Sequence, residues 1–466
     1  MRIPLNHIYT AKEIQNLTQG NGAAEGHASH LTTDSREVEA GDLFVALRGE
    51  NSDGHAYIQD ALDRGAALIL CEKAPPAYCD ISISVDNTYI ALKSMASAAR
   101  KKIAPTVIAI TGSVGKTTTK NMMAAVLGTH FRVHKTPGNF NNLLGVCLTL
   151  LSMPQDTEVL VCELGMNHAR EIGELSRLVL PDIAVITNVG TAHIGNLGSR
   201  ANIAAAKLEI LEGCAPGALY LYSQNEPLLM PPASADVVTM RIGRQEGCHC
   251  YSQNTAVSHG FVCADYICNT TQYTALRLPG ISEHLTQSAA FSIAVAHVLG
   301  LSEGKIRRGL LTWPANEWRG QPIKAGDITI IADCYNASPE SAKTALISLA
   351  QAAEEAGGRK IALLGDMLEL GAESRILHEE VGIACHRAGI DLLFTFGAAA
   401  ESIANGAIRA GIPADRIFRN PNPSAHEVSV AQLQEQLRPR DVLLVKASRA
   451  LTAEKIVLQL AELLNR

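Results

Sequence analysis

Residues 111–118 read Thr-Gly-Ser-Val-Gly-Lys-Thr-Thr, a lysine set among glycines and hydroxyls. Such a stretch suits the binding of phosphate. Gly112 and Gly115 let the backbone curl so that several N–H groups, those of Ser113, Val114 and Thr118 among them, point at phosphate oxygens. The helix expected to follow adds partial positive charge at its N-terminus. Lys116 would supply a full charge to the β/γ-phosphates, and the Thr117 hydroxyl could ligate Mg²⁺. Five residues before Gly115 stands Ile110, where loops of this kind usually carry glycine. On this motif alone, kinase, GTPase, ATPase and ligase chemistry all remain open.

Mg²⁺ held by phosphates still needs hard ligands. Glu163 ends the apolar run 159–162, at the edge where parallel-sheet sites form, and is the first metal candidate. His193 follows a second strand-like run, 183–186. A single histidine is most often structural, but this one follows a strand end in the sheet of the phosphate loop. Lys207 lies on a helical stretch, Ala-Ala-Ala-Lys-Leu-Glu at 204–209, and by residue type alone it is a surface lysine.

These residues need elements to position them. With 466 residues the chain is too long for one core and suggests about three domains. Residues 1 to about 103 read as a small α/β unit, with extended runs at 43–47, 67–70 and 81–85 and helical stretches at 57–64 and 89–102. Pro105 marks the boundary. The second unit opens with the β-branched run 106–110, the pattern of a strand buried on both faces. With 159–162 and 183–186 it predicts a parallel sheet. Short polar and β-branched runs predict an antiparallel insert between about 236 and 280, and helical sequence resumes over 282–299. The third unit starts near Trp318 and alternates strand-like runs at 328–331, 361–364, 392–396 and 442–445 with helical stretches, the rhythm of a doubly wound sheet.

Composition narrows the class. Apolar residues make up 47%, charged residues 18% and aromatics 4%, which fits a globular protein and argues against stacking platforms for single-stranded nucleic acid. The net charge of −6, without a long basic run, implies no broad nucleic-acid surface. The N-terminus lacks an apolar signal core, and no apolar run reaches the roughly 18–20 residues needed to span a bilayer. A cytoplasmic location is expected, with the 11 cysteines reduced. The group Cys248, His249, Cys250, Cys263 and Cys268 matches no usual zinc spacing and reads instead as strand residues of a hairpin.

The motifs then match a family. Across its whole length the chain resembles the Mur ligases, most closely the MurF type. The family's central loop, T-G-[ST]-x-G-K-T without the first glycine, stands at 111–117. The stretch 136–142, Thr-Pro-Gly-Asn-Phe-Asn-Asn, with Gly145 and Val146, looks like its Asn-rich loop. Glu163, Ile-Thr-Asn at 186–188 and His193 fit its metal region, and 203–210 fits the segment that holds a carbamylated lysine in relatives. Arg319, 333–339 and Lys-Ala-Ser-Arg at 446–449 resemble the nucleotide-contacting segments. Leu-Gly-Asp-Met-Leu-Glu-Leu-Gly at 364–371, with His378, is similar to a stretch typical of the MurF type. Thr-Asp-Ser-Arg at 33–36, Gly-Asp-Leu-Phe at 41–44 and Asp-Gly-His at 53–55 look like the UDP-substrate domain. Two departures stand out. Relatives carry H-N-x-x-N after L-P-G, whereas here His284-Leu-Thr-Gln-Ser288 lacks both asparagines. Ala447 replaces the glycine of K-G-S-R.

The resemblance implies an ATP-dependent amide ligase that joins D-alanyl-D-alanine to UDP-N-acetylmuramoyl-tripeptide through an acyl phosphate, in peptidoglycan precursor synthesis. It implies a three-domain α/β fold: an N-terminal UDP-substrate domain (1–103), a central P-loop domain with an antiparallel insert (104–315) and a Rossmann-like C-terminal domain (316–466). Lys116, Glu163, His193 and Lys207 would be catalytic. ATP would be met by residues 112–118, Arg319, Asp333, Tyr335 and Asn336, and substrate by Ser35, Arg36, Asn139 and Asn142. Two Mg²⁺ ions are implied, one on Thr117 and Glu163, the other on His193 and a carbamylated Lys207. Arg319 would reach the phosphates only on domain closure about a hinge near 314–320. The expected enzyme is a monomer without nucleic-acid partner or membrane span. Rival readings are a MurE-type or folylpolyglutamate synthetase-like ligase, disfavoured by 365–371 and by the lack of a D-N-P-R signature, and a regulatory or transport P-loop ATPase, which has no need of the Asp-Ser-Arg at 34–36.

Overall fold

The structure, a computed structural model, describes residues 1–49, 52–74, 76–314 and 317–465, without the side chains of residues 6–8. Three sheets follow one another along the chain. The first has five strands in chain order, Arg2–Thr10, His27–Thr32, Asp42–Val45, Leu68–Cys71 and Ser82–Ser84. The first pair is antiparallel and the rest are parallel. The last three strands and the helix Ile58–Asp63 fall where the apolar runs put them.

The helix Thr88–Ile103 leads out of this unit. Asn87 caps it by accepting a hydrogen bond from the Ile90 N–H at 3.0 Å, and Ala104 ends it in the left-handed region. Arg100, Lys101 and Lys102 in its last turn suit the negative end of the helix dipole. Its apolar face packs against the second unit, so that Leu92, Met95 and Ala96 share one core with Val107, Val146, Leu150 and Leu175. Arg100 secures the join by donating to the carbonyls of Val179 and Leu180.

The central sheet has nine strands. Val133–Lys135, Val159–Glu163, Thr106–Thr111, Ile183–Ile186, Ala218–Ser223 and Val237–Gly243 lie side by side and parallel. Here the expected insert needs correction. Val237–Gly243 is not part of an antiparallel unit, and Cys250–Ser258 first runs parallel to it over two residue pairs. Only then do Cys250–Ser258, Phe261–Cys268 and Thr271–Pro279 form antiparallel hairpins, which extend the same sheet. Cys250 and Cys268 are buried partners across the first hairpin, as strand residues of that region should be. Among the described residues no three His, Cys, Asp or Glu side chains gather as a metal-holding group.

The third sheet orders Gln321–Ala325, Ile328–Ala332, Val442–Lys446, Lys360–Gly365, Leu392–Phe396 and Ile417–Asn420. All pairs are parallel except the edge strand Gln321–Ala325. Helices Pro339–Ala356, Ser374–Arg387 and Glu401–Ala410 cover one face, and His426–Gln436 and Glu454–Leu464 the other. The arrangement is doubly wound, as the alternating runs predict. The expected domain boundary between 315 and 316, and with it part of the expected hinge, lies outside the described residues. No helix among the described residues is long and apolar enough to cross a membrane.

The helix Lys116–Leu127, which begins at the phosphate loop, is clamped between Leu285–Val298 and Glu303–Thr312. Gly309 makes this possible: a Cβ there would stand 2.3 Å from the Val126 Cα. In a free helix Gly→Ala gains about 0.5–1 kcal/mol. Here backbone must move, and overpacking costs about 1–3 kcal/mol. Gly309→Ala should therefore lower the thermal midpoint of the central sheet; a higher midpoint would show that the two helices are not in backbone contact.

Candidate active site

The strand Thr106–Thr111 runs straight into the loop, and Gly112 turns the chain at φ +149°. A Cβ at Gly112 would lie 1.9 Å from the Thr187 Oγ1, so no side chain fits. Gly115, at φ +85°, starts the helix Lys116–Leu127. The neighbouring strand end braces the loop. The Val114 N–H donates to the Asn188 Oδ1 at 2.9 Å, while the Val114 carbonyl accepts from the Thr187 hydroxyl at 2.7 Å and the Asn188 amide at 3.0 Å. The Gly190 N–H donates to the Ser113 Oγ at 2.8 Å. Lys116 is turned back on its own loop, its Nζ donating to the Gly112 carbonyl at 2.6 Å. Burial lowers its pKa, with Glu163 opposing and Arg319 adding.

Glu163 ends its strand beside this loop. Its Oε1 accepts from the Thr117 hydroxyl at 3.2 Å and the Asn141 amide at 2.9 Å. Its Oε2 lies 3.2 Å from the Lys120 Nζ, an ion-pair distance without the alignment of a hydrogen bond. Lys120, one helical turn beyond Lys116 and 1% exposed, also donates to the Gly138 carbonyl at 2.7 Å. Burial alone would raise the Glu163 pKa; Lys120, Lys116, the Asn141 amide and Arg319 outweigh it and hold the carboxyl below its ordinary range. Sequence reasoning missed Lys120 and Asn141. The signals were a lysine four residues after Lys116 and a third asparagine in the quoted loop. Of the two asparagines singled out there, Asn139 lines the cleft, and Asn142 also lines it while capping the helix Leu143–Leu151.

His193 sits in the left-handed region at φ +66°, before the short helix Ile194–Leu197. Its Nδ1 is 2.6 Å from the Glu369 Oε2 of the third unit. Burial lowers its pKa; Glu369 works against this, and Lys116 and Lys207 add to it. Lys207 departs from its bland reading. It is 1% exposed, on the buried face of Arg200–Leu208 with Ile203, Ala204 and Ala206. Its Nζ has no hydrogen bond or ion pair to another described residue. Burial, then the nearby Lys116, drives its pKa well below the usual range.

The third unit closes the other side. Lys446, buried, donates to the Asp333 carboxylate at 2.6 Å and the Asn336 carbonyl at 3.0 Å, which fixes the loop between them. The Arg319 guanidinium lies over the Tyr335 ring at 4.0 Å, and Arg449 approaches the same ring at 5.7 Å. A cleft of about 960 Å³ results, lined by Ser113–Thr118, Asn139, Asn142, Glu163 and His193 on one wall and by Arg319, Asp333, Tyr335 and Asn336 on the other. Arg319 thus already shares the space of the phosphate loop in this arrangement. His284 lines the cleft too, its pKa pushed down to about 4 by burial and Arg244.

Four expected residues stand back. Gly112 and Lys207 lie behind the lining. Ser35 and Arg36 lie in the first unit outside the cleft. Ser35 is buried, and the exposed Arg36 guanidinium is gripped by Asp34 at 2.9 and 2.6 Å, whose carboxyl it pulls down to about 2.

Known proteins match the chain in sequence and fold. Residues 27–106 match the Mur ligase family, catalytic domain; 110–296 the Mur ligase middle domain; and 318–449 the Mur ligase, glutamate ligase domain. The UDP-N-acetylmuramoyl-tripeptide--D-alanyl-D-alanine ligase of Bacillus subtilis is 38% identical over 97% of this chain and 98% of its own. The crystal structure of MurF from Acinetobacter baumannii superposes with a TM-score of 0.89 at 29% identity, covering 99% and 100% of the two chains. MurF ligase from Thermotoga maritima, solved in complex with ADP, gives 0.80 at 28% identity over 93% and 97%. With matches in all three domains, in order and over nearly the full length, the chain belongs to the Mur ligase family.

Proposed function

We propose that this chain is an ATP-dependent amide ligase that joins the amino group of D-alanyl-D-alanine to the terminal carboxylate of UDP-N-acetylmuramoyl-tripeptide. The observation that carries the reading is the cleft itself. A braced phosphate loop with Lys116 and Glu163 faces, across one space, Arg319, Asp333 and Tyr335 of a second domain. The three domains are taken as 1–103, 104–315 and 316–466. The enzyme works as a monomer in the cytoplasm, where nucleotide-linked precursors and ATP are found.

A carboxylate oxygen is a poor leaving group, so it must be activated. In the first step a carboxylate oxygen of the peptide bonds to the γ-phosphorus of ATP, the bond to the β-γ bridging oxygen breaks, and ADP leaves. In the second the amine nitrogen bonds to the acyl carbon, the acyl–oxygen bond breaks, and phosphate leaves while the amine gives up a proton. Little covalent chemistry falls to the protein; positioning and charge do the work. Residues 113–118 cradle the phosphates, and Lys116 swings from the Gly112 carbonyl to the transferred group. Arg319 adds charge from the facing domain. Asp333, Tyr335 and Asn336 meet the ribose and adenine. Asn139 and Asn142 border the peptide end, and Ser35 and Arg36 serve the UDP moiety at a distance from the reacting atoms.

Mg²⁺ supplies charge neutralisation at the phosphates when bound. Thr117 and Glu163 fit such an ion: a hydroxyl and a carboxylate share one point beside the loop, and the Glu163 Oε2 is a buried oxygen without a hydrogen bond. The second pair does not fit as it stands, because an amine is no Mg²⁺ ligand. The state of Lys207 offers the remedy. A buried amine with a strongly lowered pKa is a nucleophile for CO₂, and the carbamate so formed would supply oxygens of the kind Mg²⁺ takes, with His193 as the other ligand.

Three outcomes test the reading. In an ADP-release assay with the UDP-linked tripeptide, D-alanyl-D-alanine should be clearly preferred over D-alanine, L-lysine, diaminopimelate and glutamate; preference for any of these would assign a different ligase. Lys116→Ala should cut kcat by about 10²–10³-fold, the usual loss when a group that stabilises developing charge is removed; normal turnover would overturn the loop's role. ¹³C-bicarbonate should give a carbamate carbon signal that Lys207→Ala abolishes together with most activity, and a fully active Lys207→Ala would reject the modification.

A further inference from the structure

The loop 366–371, Asp-Met-Leu-Glu-Leu-Gly, has no part in the chemistry above, yet it meets the segment 193–195 of the central domain directly. The contact begins with backbone. The Gly195 N–H donates to the Glu369 carbonyl at 3.1 Å. A Cβ on Gly195 would stand 2.7 Å from the Gly371 nitrogen, and one on Gly371 2.7 Å from the Gly195 Cα. Two glycines therefore let the main chains of the two domains touch. On either side of this touch stand His193 at φ +66° and Glu369 at φ +65°. Side chains other than glycine adopt that region sparingly, and such residues persist where their surroundings fix them. What this geometry achieves is the approach of the Glu369 Oε2 to the His193 Nδ1, at 2.6 Å. The approach is short but off the N–H axis, and the buried Nδ1 has no other acceptor among the described residues.

A carboxylate against one imidazole nitrogen fixes the ring's orientation, keeps the proton on that nitrogen and leaves the other as the lone-pair nitrogen. We infer that Glu369 is a positioning residue for His193: it holds Nδ1 as the N–H, leaves Nε2 as the acceptor at the cleft, and does so only while the central and third domains are together. The inference rests on the ligase reading above for its functional consequence, but the contact itself does not. It gives the stretch 364–371 a task, which is to make a histidine of one domain competent only when another domain has docked. A second carboxylate separates this task from mere docking. Glu340 accepts a hydrogen bond from the Thr191 N–H at 2.8 Å and borders Gly190, so it grips the same loop, but among the described residues it makes no hydrogen bond or ion pair with His193.

The test uses the full-length enzyme with ¹⁵N-labelled histidine, the His193 resonances being assigned from their loss in His193→Gln. In the wild type Nδ1 should show the shift of a protonated nitrogen and Nε2 that of a bare one. Glu369→Gln and Glu369→Ala should move this pattern towards tautomer exchange, and Glu340→Gln should leave it in place. In turnover, Glu369→Gln should lower kcat about 10–100-fold, the range seen when an orienting partner is lost, with the KM for ATP changed less than about threefold. Glu369→Asp should restore part of that loss. An unaltered His193 pattern in both Glu369 variants overturns the inference whatever the kinetics. So does a kcat for Glu369→Gln within twofold of the wild type. Should the wild type show no D-alanyl-D-alanine ligation, the ligase reading fails while the resonances still decide the contact. Should Glu369→Ala not fold, the near-isosteric Glu369→Gln carries the decision.

Discussion

A carboxylate taken out of water must be met by opposite charge or by hydrogen bonds, and the site is arranged around that demand at Glu163. Its isolated burial would be prohibitive, and removing a partner from a buried pair is worse than never having built it. Four groups answer: Lys120 and Thr117 from the helix behind the phosphate loop, Asn141 from the Asn-rich loop, and the field of Lys116. Each comes from an element whose own placement is fixed elsewhere. The helix is clamped by its two neighbours through Gly309, and the Asn-rich loop is tied to the same lysine through the Gly138 carbonyl. The geometry of one strand end therefore depends on how the helix behind the phosphate loop is packed.

The loop's missing first glycine finds its explanation in the same sheet. With Ile110 in its strand, the turn is tightened by the next strand's end, where Thr187 and Asn188 pin Val114 from both sides. Gln287 in turn donates to the Ser223 hydroxyl and, more distantly, to the Thr187 carbonyl. His284 and Gln287 thus occupy the segment in which relatives carry asparagines, one at the cleft and one behind the brace.

Much of this was legible from the sequence, and what was not has a physical reason. Strands buried on both faces announce themselves as apolar runs, and 106–110, 159–162, 183–186 and 392–396 all appear within a residue or two of expectation. Arg2–Thr10, His27–Thr32, Gln321–Ala325 and Ile417–Asn420 went unread. The first two carry a proline, histidines and serine, and the last two form sheet edges. The strand Val237–Gly243 mixes exposed, half-buried and buried positions without a regular alternation, so its parallel partner could not be inferred from pattern alone. Among site residues, the phosphate loop and Glu163 follow from local motif and strand-end logic. Lys120 and Glu369 do not, because a helix surface lysine and a loop acid look the same in sequence whether they face water or another domain. Lys207 is the sharpest case: it is buried because alanines surround it, and small neighbours carry no sign of what lies beyond them.

The first two domains share a single apolar core across the helix Thr88–Ile103, whereas the third meets the centre through a few polar contacts, two glycines and the flanks of Ile194 and Ile281. Apolar surface resists separation in proportion to its area, so the molecule is mechanically two bodies rather than three. The first unit is thereby joined to the domain of the phosphate loop, and the C-terminal unit is the one held to it by the lesser apolar surface.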